Sequence, residues 1–481
     1  MPSRWAALAI LDPMGMTAFR VALAVAALFH LAGNFGVGVI LRSPWLLPVQ
    51  LVVGVSAIVV VARPRWGAAF LTLCVAIPVS AWLEAPFLGN HWLLAASLAL
   101  THLGAEVVSR TQRGPRVASR TWATFLPAGR LVLLVAYAFA AFSKLNTGFF
   151  DPTTSCAVLY QDQLVTSLGL SVLSVDGHDS LGLAVAVGAA TVELSVVLLL
   201  LARRTRRWGV LLGMTFHWVL AFDLAQHFWD FSAVLFAAFL LFLDEQQHGR
   251  LAGRWRHLRT QVRPAVRRVL SAVAVLAALL VTTAGALGGP EALRGLAVQT
   301  GHLGWALLGT GALVLVASSV RQVGTGEPLL PRLTPVMLVV PALVLVNGLT
   351  PYLEIKTGYS WNMYSNLRTV AGETNHLLVP ATWDTTSAQV DRVRVLESTD
   401  PRLVPGGDQE FVWSEFREYA IDHPDETVTY ERGGQVYAAA SLAQDPAGQG
   451  TVGAFDRRVL SFRAVDTSGS ERCPEGFGPA R

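Results

Sequence analysis

The sequence predicts a polytopic α-helical membrane protein of about eleven spans, N-terminus inside and C-terminus outside, ending in a small extracytoplasmic β-rich domain. Three observations lead there. The mean hydropathy is +0.47, with 53% hydrophobic and only 15% charged residues in 481, a balance foreign to a soluble globule of this length. Apolar runs of roughly 17–25 residues recur, the length a helix needs to cross about 30 Å of hydrocarbon. From about residue 351 the composition turns soluble and the charge changes sign: residues 351–481 hold 19 acids and 12 bases, against 14 acids and 25 bases before them.

Spans are predicted near 17–41, 46–62, 66–83, 91–108, 127–146, 181–202, 208–224, 228–243, 266–287, 302–320 and 335–350. The first is too long for a signal-peptide core and lacks a convincing cleavage site, so it is a retained helix. Arginines fill every second connection: Arg63 and Arg65, Arg110 through Arg120, Arg203 through Arg207, Arg250 through Arg268, and Arg321 with Arg332. The intervening loops are poor in them. Cytoplasmic loops retain Lys and Arg, which sets the orientation in the cell membrane and explains the basic excess of residues 1–350 without nucleic acid.

Residues 351–481 form the second unit. DRVRVLE (391–397) and RVLSFRAVD (458–466) alternate like strands, TVTYERGGQVYAAAS (427–441) predicts a hairpin turning at Gly433-Gly434, and 412–421 has helical spacing. Cys74 lies within a span. Cys156 and Cys473 both fall outside, where they form either a disulfide or two free thiols.

Ionisable groups inside spans are costly and mark functional candidates. Glu193 lies 12 residues before Thr205, at the centre of a basic turn, and His217 lies 12 after it. In an antiparallel hairpin this gives equal depth, roughly 18 Å from the turn, so the two can hydrogen-bond, either as a helix lock or as part of a catalytic centre. His30, also mid-span, reads as a satisfied core histidine. Glu84, His91, Asp223, His227 and Asp230 gather at the outer face, with the aromatic stretch LEIKTGYSWNMYSNLR (353–368), an interfacial belt or a substrate-facing surface. Only two of the 37 basic residues are lysine, Lys144 and Lys356. Arginine snorkels as well as lysine, whereas only an amine can be brought by burial to act as a base. That favours a chemical role for Lys144 over anchoring.

Four stretches, LDPMGMTAFRVALA (11–24), FSKLNTGFFDPTTSCA (142–157), ELSVVLLLLARRTRRWGVLLGMTFH (193–217) and GYSWNMYSNLR (358–368), resemble in order the horizontally transferred transmembrane domain family. Its best-known members are the vitamin K-dependent γ-glutamyl carboxylases, and the similarity runs from about residue 11 to about 380. In those enzymes a lysine of the corresponding motif deprotonates reduced vitamin K; reaction with O₂ yields an alkoxide that takes the γ-proton of a glutamate, and CO₂ traps the carbanion. By motif, Lys144 is similar to that lysine. Asn146 stands where the animal enzymes usually carry aspartate, Glu193 replaces an aspartate, and the outer domain is far shorter than theirs.

The expected catalytic residues are therefore Lys144, Glu193 and His217, and the expected quinone- or substrate-binding residues are Asn146, His227, Tyr359, Trp361, Asn362 and Arg368. The expected activity couples oxidation of reduced vitamin K or menaquinone by O₂ to carboxylation of a glutamate by CO₂ in an extracytoplasmic peptide or protein, without a metal. The alternative is a non-enzymatic membrane protein that binds lipid, quinone or peptide, for example an immunity or export factor. A transporter lacks support, since no inverted repeat or paired broken helices are visible. No Gly-rich phosphate loop, metal-spaced His/Cys cluster or serine-nucleophile elbow stands out.

Overall fold

A computed structural model describes residues 13–467 and Cys473, apart from 34–44, 112–116, 176, 288–290, 322–326, 401–402 and 404–408. The first part is helical: α1 (Met14–Gly33), α2 (Leu46–Ala62), α3 (Gly67–Glu84), α4 (Asn90–Thr111), α5 (Val117–Phe142), α6 (Cys156–Ser167), α7 (Asp179–Leu201), α8 (Arg206–Leu220), α9 (Phe228–Phe239), α10 (Glu245–Gln261), α11 (Pro264–Leu287), α12 (Glu291–Gly304), α13 (Thr310–Ser319) and α14 (Val339–Leu349). A π-helical turn, Trp305–Gly309, joins α12 to α13.

A helix stands at each predicted span. Among the described residues, six helices are long and apolar enough to cross a membrane: α1, α3, α4, α5, α7 and the run Gly295–Ser319. Leu46–Ala62, Phe228–Phe242 and Pro335–Leu349 are shorter apolar helices, and α8 has 15 residues and opens on two arginines. Among the described residues, three helices lie where loops were expected: α6, α12, which fills most of the stretch between the spans expected at 266–287 and 302–320, and α10. Helix α10 starts in a capping box: Asp244 accepts from the Gln247 amide at 2.8 Å while Gln247 accepts from the Asp244 amide at 2.9 Å.

Some arginines close helix ends as well as filling loops. Arg130, fully buried in α5, donates to Leu241 O at 2.7 Å and to Pro328 O and Leu329 O at 3.0 and 3.1 Å. Arg206 reaches Leu200 O at 3.2 Å and Arg250 reaches Ser319 O at 2.8 Å. Leu241, Leu200 and Ser319 stand at helix ends, so these guanidinium groups satisfy carbonyls that a helix leaves unpaired at its C-terminal end, where the helix dipole also favours positive charge; Pro328 and Leu329 belong to the irregular stretch after α13.

Among the described residues, the C-terminal domain holds two sheets. A small ladder joins β1 (Thr369–Val370) to β2 (Glu373–Thr374). The main antiparallel sheet is built from β3 (Arg392–Ser398), β4 (Gln409–Val412), β5 (Val428–Arg432), β6 (Gln435–Ala439) and β7 (Val465–Asp466) in the order β6-β5-β3-β4-β7. Its core gathers Val393, Phe411, Phe416 and Tyr430, with Phe416 supplied by α15 (Trp413–Asp422). The hairpin turns where expected, with Gly433 and Gly434 at φ 57° and 77°, the left-handed pair a two-residue turn demands. The segment 458–466 departs from its strand-like alternation: α16 (Ala454–Val459) occupies its start and only Val465–Asp466 pair. The reason is competition. Ser461 O accepts the amides of Thr357 and Gly358 at 2.9 and 2.8 Å, and the Arg463 amide donates to Thr357 Oγ1 at 2.7 Å, so this backbone is spent on the chain leaving α14 rather than on the sheet.

Those contacts hold the domain against one end of the helical bundle. Asn146 forms an isolated bridge with His376, and the Leu377 amide donates to Leu145 O at 2.8 Å. Cys156 and Cys473 form a disulfide with Cα atoms 4.8 Å apart, resolving the two sequence alternatives as a bridge, while Cys74 is a buried free thiol.

Candidate functional site

Helix α5 ends at Phe142, and the chain tightens so that the amides of Lys144 and Leu145 reach back to Ala141 and Phe142. The Lys144 side chain folds back along the helix. Its Nζ donates to Ala140 O at 3.1 Å and to Met363 O at 3.3 Å, and pairs with Glu193 Oε2 of α7 at 3.0 Å. Both residues are buried, Lys144 at 7% and Glu193 at 8% exposure. Seven residues earlier on the same helix, Tyr137 Oη lies 3.0 Å from His217 Nε2 of α8. His217 is also buried, and its Nδ1 has no hydrogen-bond partner among the described residues. Phe231 and Phe239 rings flank it with centroids at 5.2 and 6.4 Å.

The pairing thus differs from the sequence expectation. Glu193 takes Lys144, and His217 takes Tyr137. An ammonium offers a buried carboxylate a stronger charge-assisted bond than a neutral imidazole does, and the backward fold of Lys144 carries its amine down to Glu193. The two pairs are joined through the chain of α5, which carries Tyr137 and leads directly into Lys144. Tyr137 escaped the sequence reading although helical spacing could have exposed it: it sits two turns before Lys144, on the same face.

The aromatic stretch after α14 folds over this group as a strap. Glu354, Tyr359, Trp361, Tyr364 and Asn366 all have left-handed φ, from 35° to 58°. Such conformations cost of order 1–3 kcal/mol each and persist only where the surroundings over-determine them. Here they are pinned. Trp361 donates its amide to Asn90 Oδ1 at 3.0 Å and its Nε1 to Val344 O at 2.9 Å. Tyr359 donates its hydroxyl to Arg458 O. Asn362 donates to Thr357 O at 3.0 Å and receives Arg463 at 3.2 Å. The strap then lays Met363 O on Lys144. Gly348 lets α14 close on α5 beneath it, since a Cβ there would fall 2.2 Å from the Phe139 ring.

The remaining expected residues hold the periphery. Asn146 is fully buried and spent on the fold: it donates to Ser143 O and Ser365 O at 2.7 and 2.5 Å, and receives the Phe149 amide at 2.8 Å. Arg368 is half-buried and faces Glu373 at 3.4 Å. His227, ahead of α9, packs near Trp229 and His302, and burial holds its imidazole below the usual range. Lys356, the second lysine, lies in the strap at 6% exposure with its Nζ 3.8 Å from the Tyr359 ring centroid, and burial lowers its amine to about 7.

Beside this group, four helices bring together a second polar cluster. His30 of α1 holds Glu84 of α3 through Nε2 at 3.1 and 3.3 Å and faces His91 of α4 through Nδ1 at 3.2 Å. His91 Nε2 in turn lies 3.4 Å from Asp230 Oδ2 of α9. His30 is therefore satisfied as expected, with Glu84 and His91, both assigned to the outer face, as partners. Phe231 stands between the clusters, its ring 6.4 Å from His91 and 5.2 Å from His217. Comparison with family models, with curated proteins and with solved structures finds no match for this chain.

Two outcomes are expected. Lys144→Met and Glu193→Leu should each lower stability by about 3–5 kcal/mol, the effect of stranding one member of a buried ion pair, and the double variant should recover most of the loss. The coupling between Glu193 and His217 should be clearly smaller. Strict additivity of the Lys144 and Glu193 changes in thermal unfolding would refute the pairing. For Lys356, the amine is lowered from 10.5 to about 7, so between those values the unfolded chain binds more protons than the folded one and stability rises with pH. Lys356→Met should be more thermostable than wild type at pH 7, with the advantage shrinking steadily towards pH 10.5. A pH-independent difference would contradict this.

Proposed function

We propose that the chain is a carboxylase-like membrane enzyme that oxidises a reduced quinone, menaquinone or vitamin K, at the junction of its helical and C-terminal domains. The observation that carries this reading is the buried Lys144–Glu193 pair beside the orphaned His217 Nδ1. The groups suit a ring bearing a hydroxyl: Nδ1 offers one hydrogen bond, Tyr137 on Nε2 selects the tautomer, and Phe231 and Phe239 give apolar neighbours. A bound hydroquinone, in reducing O₂, supplies the strong base that removing a glutamate γ-proton needs, and the sum is hydroquinone, O₂, CO₂ and glutamate going to quinone epoxide, water and γ-carboxyglutamate.

The residues of the chain handle the proton. Ammonium plus carboxylate carries the same net charge as amine plus carboxylic acid, and the 3.0 Å contact lets Lys144 and Glu193 handle the proton as one unit. That unit gains a proton when Glu193 becomes the acid with Lys144 still ammonium, and releases it to water afterwards. Ala140 O and Met363 O keep the ammonium solvated by dipoles throughout, and the strap excludes water, which strengthens each of these interactions. Arg130, Arg206, Arg207 and Arg250 all reach carbonyls within residues 319–329, while the C-terminal domain meets Leu145, Asn146 and Cys156; this separation supports an N-in, C-out chain in the cell membrane, with about eleven crossings and an extracytoplasmic peptide as substrate.

A second reading has its own support. Lys144 Nζ is spent on two carbonyls and an ion pair, as in a purely structural lock, and a protein that binds lipid, quinone or peptide without turnover would need no more. Purified protein given reduced menaquinone, O₂, labelled bicarbonate and a Glu-containing peptide separates the two. Wild type should form quinone epoxide, and Glu193→Gln, which removes the proton acceptor, should lower the rate by about 10²–10⁴-fold, the usual worth of a positioned base. Full activity in Glu193→Gln would overturn the base; tight quinone binding by wild type with no epoxide on any peptide would establish the binding protein.

A further inference from the structure

The second cluster has the geometry of a metal site, and we propose that His30 Nδ1, His91 Nε2 and Asp230 Oδ2 bind one divalent first-row transition metal, Zn²⁺ in the simplest case. The three atoms all lie within 4.8 Å of one another. With metal–ligand bonds of about 2.0–2.1 Å and tetrahedral angles, ligand atoms stand about 3.3 Å apart. The observed separations are 3.2 Å for His30 to His91 and 3.4 Å for His91 to Asp230. Two of the three ligand–ligand edges are therefore already set, and the third is no longer than 4.8 Å.

The protonation pattern points the same way. The Glu84 carboxylate, engaged through both oxygens, fixes the proton of His30 on Nε2 and leaves Nδ1 a bare lone pair. Glu84 is itself held by Ser80 Oγ at 2.5 Å, and Ser80 by Trp92 Nε1 at 3.3 Å, while the His30 ring stacks on Trp92 at 3.7 Å with a 10° tilt. A carboxylate on the far nitrogen of a histidine is the arrangement that orients metal-binding imidazoles and raises their basicity. His91 Nε2 faces two acceptors at once, His30 Nδ1 and Asp230 Oδ2. A single N–H serves both poorly, whereas a cation accepts all three lone pairs. Two glycines keep the space clear: a Cβ on Gly33 would lie 3.0 Å from Asp230 Oδ2, and one on Gly89 would lie 2.5 Å from His91 Cε1. Two imidazoles and one carboxylate leave a coordination position open, as in sites that bind water or substrate rather than serve structure alone.

This inference is independent of the proposed quinol chemistry, and its test needs no turnover. The untagged full-length protein in detergent is stripped with a chelator and dialysed against Zn²⁺ alone or Co²⁺ alone. Wild type should retain about one metal per chain, melt at a higher temperature with Zn²⁺ than without, and give Co²⁺ the visible absorption of a low-coordinate site. Glu84→Gln should weaken binding by about 10–100-fold, and His91→Ala and Asp230→Asn should abolish it. Metal well below one per chain in wild type would overturn the site, as would unchanged binding in a monodisperse His91→Ala or Asp230→Asn protein.

Discussion

Two opposite charges buried at 7% and 8% exposure set the terms for the rest of this molecule. Each would cost several kcal/mol to bury alone, and their mutual attraction repays that only with good geometry and further hydrogen bonds. The chain supplies both. The end of α5 bends the lysine back along its own helix, α7 brings the carboxylate to 3.0 Å, and the strap contributes a carbonyl from more than two hundred residues away. Holding that carbonyl in place accounts for the unusual backbone after α14, where bulky residues such as Trp361 and Tyr364 adopt left-handed φ. The contacts of Asn146, Asn362 and Arg463 serve the same end, and the C-terminal domain clamps the strap from outside through Ser461.

The helical bundle gathers its polar groups in two places separated by the Phe231 ring. On one side lie Tyr137, Lys144, Glu193 and His217; on the other, His30, Glu84, His91 and Asp230. Buried groups of this kind are expensive in an apolar bundle, and two fully furnished clusters within reach of one aromatic ring are more than helix packing alone requires. Lys356 forms a contrast. It also has little exposure, yet it rests on the Tyr359 ring and its amine falls to about 7, whereas Lys144 has a carboxylate and two carbonyls. The chain's two lysines thus solve burial in different ways.

Much of the fold was legible because bilayer physics writes it in length and hydropathy: a helix stands at every predicted span, and the Gly433-Gly434 hairpin could be read from its turn chemistry alone. Three features resisted. The capping helix α10 lay hidden in a stretch read for its arginines rather than its Asp244–Gln247 box. The strand expected at 458–464 was lost to backbone bonds with Thr357 and Gly358, which no local pattern encodes. At the site, sequence picked out Lys144, Glu193 and His217 individually, because ionisable residues in apolar runs are conspicuous, but it mispaired them. Equal depth along a hairpin constrains height and says nothing about which face a neighbouring helix presents. Tyr137 and the convergence of His30, His91 and Asp230 depend on four helices meeting, and residues so far apart in the chain leave no spacing motif.

The claim on which the functional account rests is that Lys144 and Glu193 receive a proton as one unit, with Glu193 as the group that becomes neutral. Infrared difference spectroscopy reads this directly when reduced menaquinone is added to the protein without O₂. The account requires a carboxylic-acid C=O band to appear in wild type, to shift in deuterium oxide and to be missing from Glu193→Gln. A wild-type spectrum without that band despite bound quinol, or the same band persisting in Glu193→Gln, would contradict it.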